Sequence, residues 1–568
     1  MKNKELAAMF AKIADALEYK GEMPFKIIAY RKAARVLEDL TQDIELLAKE
    51  DRLREVPGIG EGIAKKIKEY LETGKMKKYE EALSGIPDGL LQLLDIQNLG
   101  PKTLALAHKE LKVNNLNDLK RVIEDGSLAK LFRMGKKKVE NIKKGIELFE
   151  QTRERIPLNE ALAISDELVE YLKKNPHIKQ IQPSGSLRRM KETIGDIDIL
   201  VTGKKGGEVV EYFTKFPRTS RVLVAGDTKG SIIVGRGAEA RQVDIRIVPE
   251  KSFGAALQYF TGSKAHNIKL RTMARERGLK ISEYGVFKGN RQIAGRTEEE
   301  VYATLGLPLI PPELREDRGE VEAALKGKLP KLIELSDIRG DLHIHSTHSD
   351  GNSTIEELVK YAKSLGYEYI AICDHSKSAK YAGGLTEDEL KKEMEEIDKL
   401  NEKLKGIRVL KGIEVDILKD GRLDYSDKIL EKLDIVVAAI HQSFKYKVTE
   451  RICRAIENPN VDIIAHPTGR LISKREGYEV DIEMVMEWAK RYNKILELNA
   501  YYDRLDLNEI YLRKAKEMGI RISIGSDAHG ALDLNWMRFG VGIARRGWLE
   551  KSDVINTLPF QRLKKILK

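Results

Sequence analysis

The apolar positions of this chain change period along its length, and each change predicts a different kind of element. From residue 1 to about 50 they recur at helical spacing, as Leu6, Met9, Phe10, Ile13 and Leu17 and then Ile27, Ala34, Leu37 and Leu40. That spacing predicts amphipathic helices in a small bundle. At residues 196–201 and 242–247 the pattern alternates instead, with Ile197 and Ile199 set against Asp196 and Asp198, and Val243, Ile245 and Ile247 set against Asp244. In a strand, alternate side chains share a face, so the aliphatic set enters a core and the three aspartates share the polar side. Beyond residue 338 short apolar runs alternate with helical stretches, and polar residues stand where each run ends. The runs are 341–345, 370–375, 409–414, 435–441, 463–467, 495–499 and 522–529. Seven such units predict a TIM-like (β/α)7 barrel with its working face at the carboxyl ends of the strands.

Composition narrows the class. A chain of 568 residues with 42% hydrophobic content predicts several packed domains. No apolar run reaches membrane-span length and Met1-Lys2-Asn3-Lys4-Glu5 lacks a signal-peptide core, so a cytoplasmic, membrane-free protein is expected. Cys373 and Cys453 both lie in apolar runs, which excludes a disulfide framework and a thiolate zinc site. The net charge of +11 is uneven: residues 101–300 carry 39 Lys+Arg against 26 Asp+Glu. A basic middle of this kind is the footprint of polyanion binding.

The chemistry concentrates in three places. Asp196, Asp198 and Asp244 offer oxygen donors for a pair of hard cations, an arrangement suited to phosphoryl transfer. Alone, Asp-x-Asp reads as a solvated strand face; the upstream Gly185-Ser186 turn and the Arg188-Arg189 pair add phosphate ligands and favour the metal reading. The whole series resembles the nucleotidyltransferase superfamily. In the first third, Gly58-Ile59-Gly60-Glu61-Gly62 precedes Lys65 and Lys66, and Gly100-Pro101-Lys102 repeats the theme, with a more degenerate copy at 132–139. These turns resemble helix-hairpin-helix elements, whose amides grip a nucleic-acid backbone without reading sequence. Seven of the ten histidines lie beyond residue 338, most of them at strand ends, and His343-x-His345 sets two imidazoles on one strand face. Imidazole mixed with carboxylate favours Zn²⁺, Mn²⁺ or Fe²⁺ over Mg²⁺.

Residues 1 to about 318 resemble a family X DNA polymerase, the group that contains the eukaryotic repair polymerase beta, and residues 339–568 resemble a PHP domain. The resemblance implies a helical helix-hairpin-helix domain (1–84), a second hairpin subdomain (85–152), a nucleotidyltransferase palm (153–250), a thumb-like subdomain (251–318), a linker (319–338) and a PHP phosphoesterase domain (339–568), a multidomain α+β and α/β chain. It implies Gly185, Ser186 and Arg189 at the triphosphate, Tyr259, Phe260 and Gly262 at the sugar, and Asn267 at the base edge; core packing is the other reading of Tyr259 and Phe260. Gly58, Gly60, Gly62, Lys65, Gly100 and Lys102 would hold DNA. Mg²⁺ or Mn²⁺ would serve the aspartates. His343, His345, Asp350, His375, Glu414, His441, His466, Asp527 and His529 match all nine PHP ligands, implying a three-metal Mn²⁺ or Zn²⁺ cluster.

The activities implied are gap filling in base-excision repair with deoxynucleoside triphosphates and 3′–5′ exonuclease action, with AP endonuclease action as a further option, by a monomer. Lys66 matches the family's Schiff-base lysine of deoxyribose phosphate lyase chemistry, with Lys26, Tyr30 and Lys78 in supporting positions; phosphate neutralisation is its other reading. Departures are Gln242, where an Arg is common two residues before the third aspartate, Lys264 where an acid stands, and Phe25 where a polar phosphate ligand stands. His348 and Asp374 are expected to support the ligands, and Arg470 and Lys474 to meet phosphate or line a solvated loop. Two other functions remain consistent: a PHP nuclease whose polymerase-like half only clamps DNA, and a small-molecule phosphatase tethered to DNA by the hairpins.

Overall fold

The structure, a computed structural model, describes residues 2–567 except 88, 97–98, 132–133, 152–154 and 236–239. Gln97 and Asn98 of the second hairpin turn, and Phe132 and Arg133 of the third, lie outside the described residues. The chain forms two compact units, residues 1–154 with 234–242, and residues 155–233 with 243–568.

The first unit is helical. Lys2–Tyr19 and Pro24–Asp39 pack along the stripe that the periodicity marks, with Leu6, Phe10, Ile13 and Leu37 fully buried. The helix Glu61–Thr73 starts at Gly60 and the helix Pro101–Leu111 starts at Gly100, with Pro101 in the first turn where its missing N–H costs no hydrogen bond. Two separate apolar cores form, one from Leu6 to Ala82 and one from Leu90 to Ile146.

A five-stranded sheet runs in the order Ile178–Pro183, Ile197–Gly203, Arg241–Ile247, Lys229–Val234, Thr219–Ala225. Ile197–Gly203 and Arg241–Ile247 run parallel with Asp198 beside Asp244, and Ile197, Ile199, Val243 and Ile245 are buried beneath them. Asp196 stands one residue ahead of its strand. The helices Phe253–Thr261 and Lys264–Glu276 and the small sheet 280–294 follow, around Leu270, Val286, Val301 and Tyr302.

The segment 313–332, which runs from the end of the expected thumb into the expected linker, packs into a core. Leu314, Val321, Ala324 and Leu332 join the core that holds Leu270 and Val301, and Trp548 packs against it. The charges between them turn inward as pairs: Arg315 is fully buried against Glu298, and Glu320, equally buried, meets His266 Nδ1 at 2.6 Å. Paired charge can enter a core that unpaired charge cannot.

Residues 340–525 build parallel strands, with a helix after every one except Arg408–Lys411. The third expected run divides at Gly412 into Arg408–Lys411 and Glu414–Asp416, and bridges Ile344↔Ala528 and His375↔Glu414 join the two halves of the sheet into a ring of seven strands. Among the described residues no helix is long and apolar enough to cross a membrane. A Cβ on Gly412 would stand 2.5 Å from the Ile372 carbonyl oxygen and 2.8 Å from Cys373 Sγ, so the kink that aims Glu414 needs a residue without a side chain. Gly412→Ala should therefore cost about 1–3 kcal/mol through overpacking, read as a lower melting temperature of the full chain.

Candidate active sites

Three carboxylates converge at the end of the palm sheet. Asp198 and Asp244 are neighbours on adjacent parallel strands, and Asp196 enters from the turn before the first. Ser231 Oγ donates to Asp244 Oδ1 at 2.5 Å, and Lys229 Nζ lies 3.7 Å from Asp244 Oδ2. Burial and then the charges of Asp196 and Asp244 push the Asp198 carboxyl up to about 8. Asp196 moves up as well, through partial desolvation and then Asp244. A set of acids that resists ionising together is poised to exchange protons for divalent cations. The Gly185 backbone, at φ +66°, lies so close that a Cβ there would sit 2.6 Å from Asp198 Oδ2. The Gly185–Arg188 turn is thereby brought against the acids, with Ser186 in it.

Each of the two arginines bridges to the thumb. Arg188 makes a bidentate pair with Glu298, at 2.7 and 3.0 Å, and donates to Thr261 Oγ1. Arg189 donates from Nε to Glu316 Oε1 at 3.0 Å and from Nη1 to the Thr261 carbonyl. The sequence reading gave them phosphate and missed Glu298, in the acidic run 298–300, and Glu316, in the charged stretch after Pro312. Arg246 was also missed. It lies over the Phe260 ring at 4.7 Å and its charge favours ionised Asp198, so a cation stands two residues after Asp244 where Gln242 stands two before. Tyr259 and Phe260 are half-buried, ring edge to face at 5.2 Å, with Arg271 over Tyr259. Asn267 donates to the Tyr259 carbonyl and accepts from Gln258, so its amide is occupied within the protein. Gly262 ends the helix before it at φ +71°.

In the helical unit Gly60, Gly62, Lys65, Gly100 and Lys102 are exposed, and a Cβ on any of these three glycines would meet nothing within 4 Å. Gly58, at φ +104°, is half-buried against Val36. Lys66 differs from its neighbour Lys65: partial burial, and then the charge of Lys78, lower its pKa, and its Nζ lies 5.9 Å over the Tyr30 ring. Lys65 instead pairs in solvent with Glu61.

At the barrel mouth the nine residues come together. Three groups with mutually close ligand atoms form: His345, Asp350, His375 and His529; His343, His345 and Asp527; His375, Glu414 and His441. His466 Nε2 joins Glu414 at 3.0 Å. His345 stacks 4.5 Å from both His375 and His529. The buried nitrogens His343 Nε2, His345 Nδ1 and Nε2, His375 Nδ1 and His466 Nδ1 make no hydrogen bond, although carboxylate oxygens lie close, as with His345 Nε2 at 3.1 Å from Asp527 Oδ1. Buried donors and acceptors left without partners are costly unless a ligand completes them, and lone pairs facing carboxylates suit divalent cations. The residues therefore fit a metal cluster.

Electrostatics point the same way. Burial opposes ionisation of Glu414, yet His441, His375 and His343 around it hold it well below the usual range, and Asp527 is held down by His345 and His343 against burial in the same way. Burial acts against protonated His441 too, but Glu414 and Asp416 outweigh it and raise the ring to about 10. The supporting carboxylates are those that sequence reading overlooked. Glu497 Oε1 accepts from His343 Nδ1 at 2.7 Å, and Asp416 Oδ1 from His441 Nδ1 at 2.6 Å, which fixes the outward nitrogen and turns the other to the cluster. Strand alternation could have found both, since Asp416 lies two residues after Glu414 and Glu497 two before Asn499. Asp374 accepts from Ser346 and Ser349, shaping the loop that carries Asp350, while His348 pairs outward with Glu396. Arg470 is paired with Glu192 and Lys474 with Asp503. His466 and Asp527 hold positive φ, 29° and 54°, strain that the surrounding barrel maintains at ligand positions.

Family profiles match four stretches of the chain. A helix-hairpin-helix domain profile matches residues 1–76, the DNA polymerase beta palm 155–225, the DNA polymerase beta thumb 256–316, and the PHP domain 341–502. The DNA polymerase/3′-5′ exonuclease PolX of Bacillus subtilis (strain 168) is 43% identical over the whole length of both chains. A probable phosphatase of Thermoanaerobacter sp. (strain X514) is 34% identical over 38% of this chain and 89% of its own, and DNA polymerase lambda of Arabidopsis thaliana is 27% identical over 55% and 62%. With polymerase beta-like palm and thumb, hairpin and PHP domains in one chain, and full-length identity at this level, the protein belongs to the PolX family of DNA polymerases.

Proposed function

We propose that this chain is a DNA-directed DNA polymerase that fills short gaps during base-excision repair, and that its PHP barrel removes nucleotides from 3′ ends. The observation that carries the synthetic half is the placement of Asp198 and Asp244 on neighbouring strands, with Asp196 just ahead of the first and the Gly185 backbone pressed against Asp198. Similarity to a full-length relative named for both activities supports the pairing. Two Mg²⁺ or Mn²⁺ ions bound by the three aspartates would supply charge stabilisation to the attacking and leaving oxygens. Around them, Ser186 and Arg189 receive the triphosphate, and Tyr259, Phe260 and Gly262 form the floor on which the sugar rests. Asn267, released from Gln258, turns to the base. The primer 3′-hydroxyl oxygen bonds to the α-phosphorus, the bond to the bridging oxygen breaks, and pyrophosphate leaves. Exposed hairpin glycines, with Lys65 and Lys102, let the DNA backbone approach. The protein would act on DNA as a monomer in the cytoplasm.

At the barrel the nine ligands would hold Mn²⁺ or Zn²⁺, which supply an activated water and neutralise phosphate charge. Glu497 and Asp416 keep His343 and His441 aimed inward. A second reading concerns Lys66, whose lowered pKa leaves more of its amine neutral for Schiff-base formation with an abasic sugar.

On gapped, 3′-mismatched DNA, Asp196→Ala with Asp198→Ala should abolish longer products and leave shortening intact, whereas His343→Ala or Asp527→Ala should do the reverse. Extension surviving in the double aspartate variant would overturn the synthetic assignment, and monophosphate ester hydrolysis far exceeding DNA degradation would favour a phosphatase. Asp198 carries a further expectation. Its proton is held to about 8 in the fold but released near ordinary carboxylate values when unfolded, so metal-free stability falls as pH rises through that window. Asp198→Asn should accordingly melt above the unsubstituted protein in EDTA at pH 8, and by less at pH 5, while losing synthesis. Borohydride should trap the protein on an incised abasic site, and Lys66→Ala should lose the adduct.

A further inference from the structure

The loop that bears Arg189 is fastened from outside the polymerase half. Arg546, on the barrel helix Met537–Arg546, donates from Nη1 to the Arg189 carbonyl at 2.8 Å and to Glu316 Oε1 at 3.0 Å, and from Nη2 to Glu509 Oε1 at 2.7 Å. Glu316 Oε1 is the same oxygen that Arg189 Nε reaches at 3.0 Å. Arg318 binds Glu509 from the other side at 3.2 Å. Arg546 is almost wholly buried, and its partners Glu316 and Glu509 are half-buried. The next residue of the loop, Met190, has φ 53° and lies against the same helix at Gly542, where a Cβ would come within 2.4 Å of Met190 Cε.

From this arrangement we infer that Arg546, a residue of the PHP domain with no place in the nuclease, is a positioning residue for nucleotide binding in the polymerase centre. The inference rests on the assignment of Arg189 to the triphosphate. Two physical effects operate. The hydrogen bond to the Arg189 carbonyl fixes the backbone from which that side chain projects, so less freedom is lost when a nucleotide binds. Arg546 also shares Glu316 Oε1 with Arg189. A carboxylate divided between two guanidiniums neutralises each only in part, which leaves Arg189 charge to offer a polyphosphate. Without Arg546, the whole of the Glu316 charge falls on Arg189 and competes with the incoming anion. Since the contact serves nucleotide binding alike before and during reaction, its loss belongs in KM rather than kcat.

The test is single-nucleotide insertion on gapped DNA by the full chain, with degradation of a single-stranded 3′ end measured on the same preparations. Arg546→Met should raise the KM for the deoxynucleoside triphosphate by about tenfold with kcat and degradation within about twofold, and Arg546→Lys should recover part of the loss. Arg546→Met leaves Glu509 short of a partner, so the double variant Arg546→Met/Glu509→Leu, which removes both charges, serves if the single one folds poorly. Unchanged KM in either variant overturns the inference, as does a parallel fall of synthesis and degradation, which a merely structural role would give. Arg189→Ala separates the two layers. If it raises KM while the Arg546 variants do not, only the role of Arg546 fails; if it leaves KM unchanged, the triphosphate assignment fails first.

Discussion

Repulsion between like groups is the constraint on which this molecule is organised. Asp198 lies beside Asp244 across two parallel strands, and His345 lies between His375 and His529 with its nitrogens unbonded. Neither cluster is what folding favours by itself, because gathered carboxylates and unsatisfied buried nitrogens both raise the free energy of the fold. They persist because most of these residues sit at or beside the ends of strands whose other residues are deeply apolar, as with Ile197, Ile199, Val243 and Ile245 under the aspartates. Packing holds the donors together, and divalent cations relieve the repulsion. The two centres differ in donor chemistry, oxygen alone in the palm and imidazole with carboxylate in the barrel, and that difference suits them to different ions.

A second layer of charge connects the parts of the larger compact unit. Arg188 with Glu298, Arg315 with Glu298, Arg189 with Glu316 and Arg546 with Glu509 are paired within the protein interior. Buried pairs of this kind contribute little net stability over an apolar contact, but each is intolerant of losing one member. Their effect is directional. They determine where a loop lies, and one of the loops they hold is the loop that bears Arg189.

Much of this was legible in the sequence, for reasons that differ by element. The strands carrying the aspartates were readable because alternation is strict there, and the barrel because its apolar runs are short and regularly interrupted by ligands. The nine candidate ligands came from the resemblance to a PHP domain, which the His and Asp residues at the ends of these runs prompted. What escaped lay in partners distant along the chain: Glu298 and Glu316 for the arginines, Asp416 and Glu497 for the histidines. No local pattern ties Arg189 to a carboxylate in a Pro-rich stretch far downstream, since that pairing exists only after the thumb folds back. The charged stretch after Pro312 is a different case. Its charge density reads as solvated, whereas Arg315 and Glu320 enter the interior as pairs and carry Leu314 and Val321 in with them.

That last feature bears on the order in which the chain is made. Domains usually fold as they leave the ribosome, amino end first. Here the cluster around Leu270 and Val301 is closed by Leu332 and Trp548, so the thumb stays open on one side until nearly the whole polypeptide has been translated. The nascent polymerase half would emerge with a bare apolar flank, and its completion waits on the carboxyl-terminal barrel.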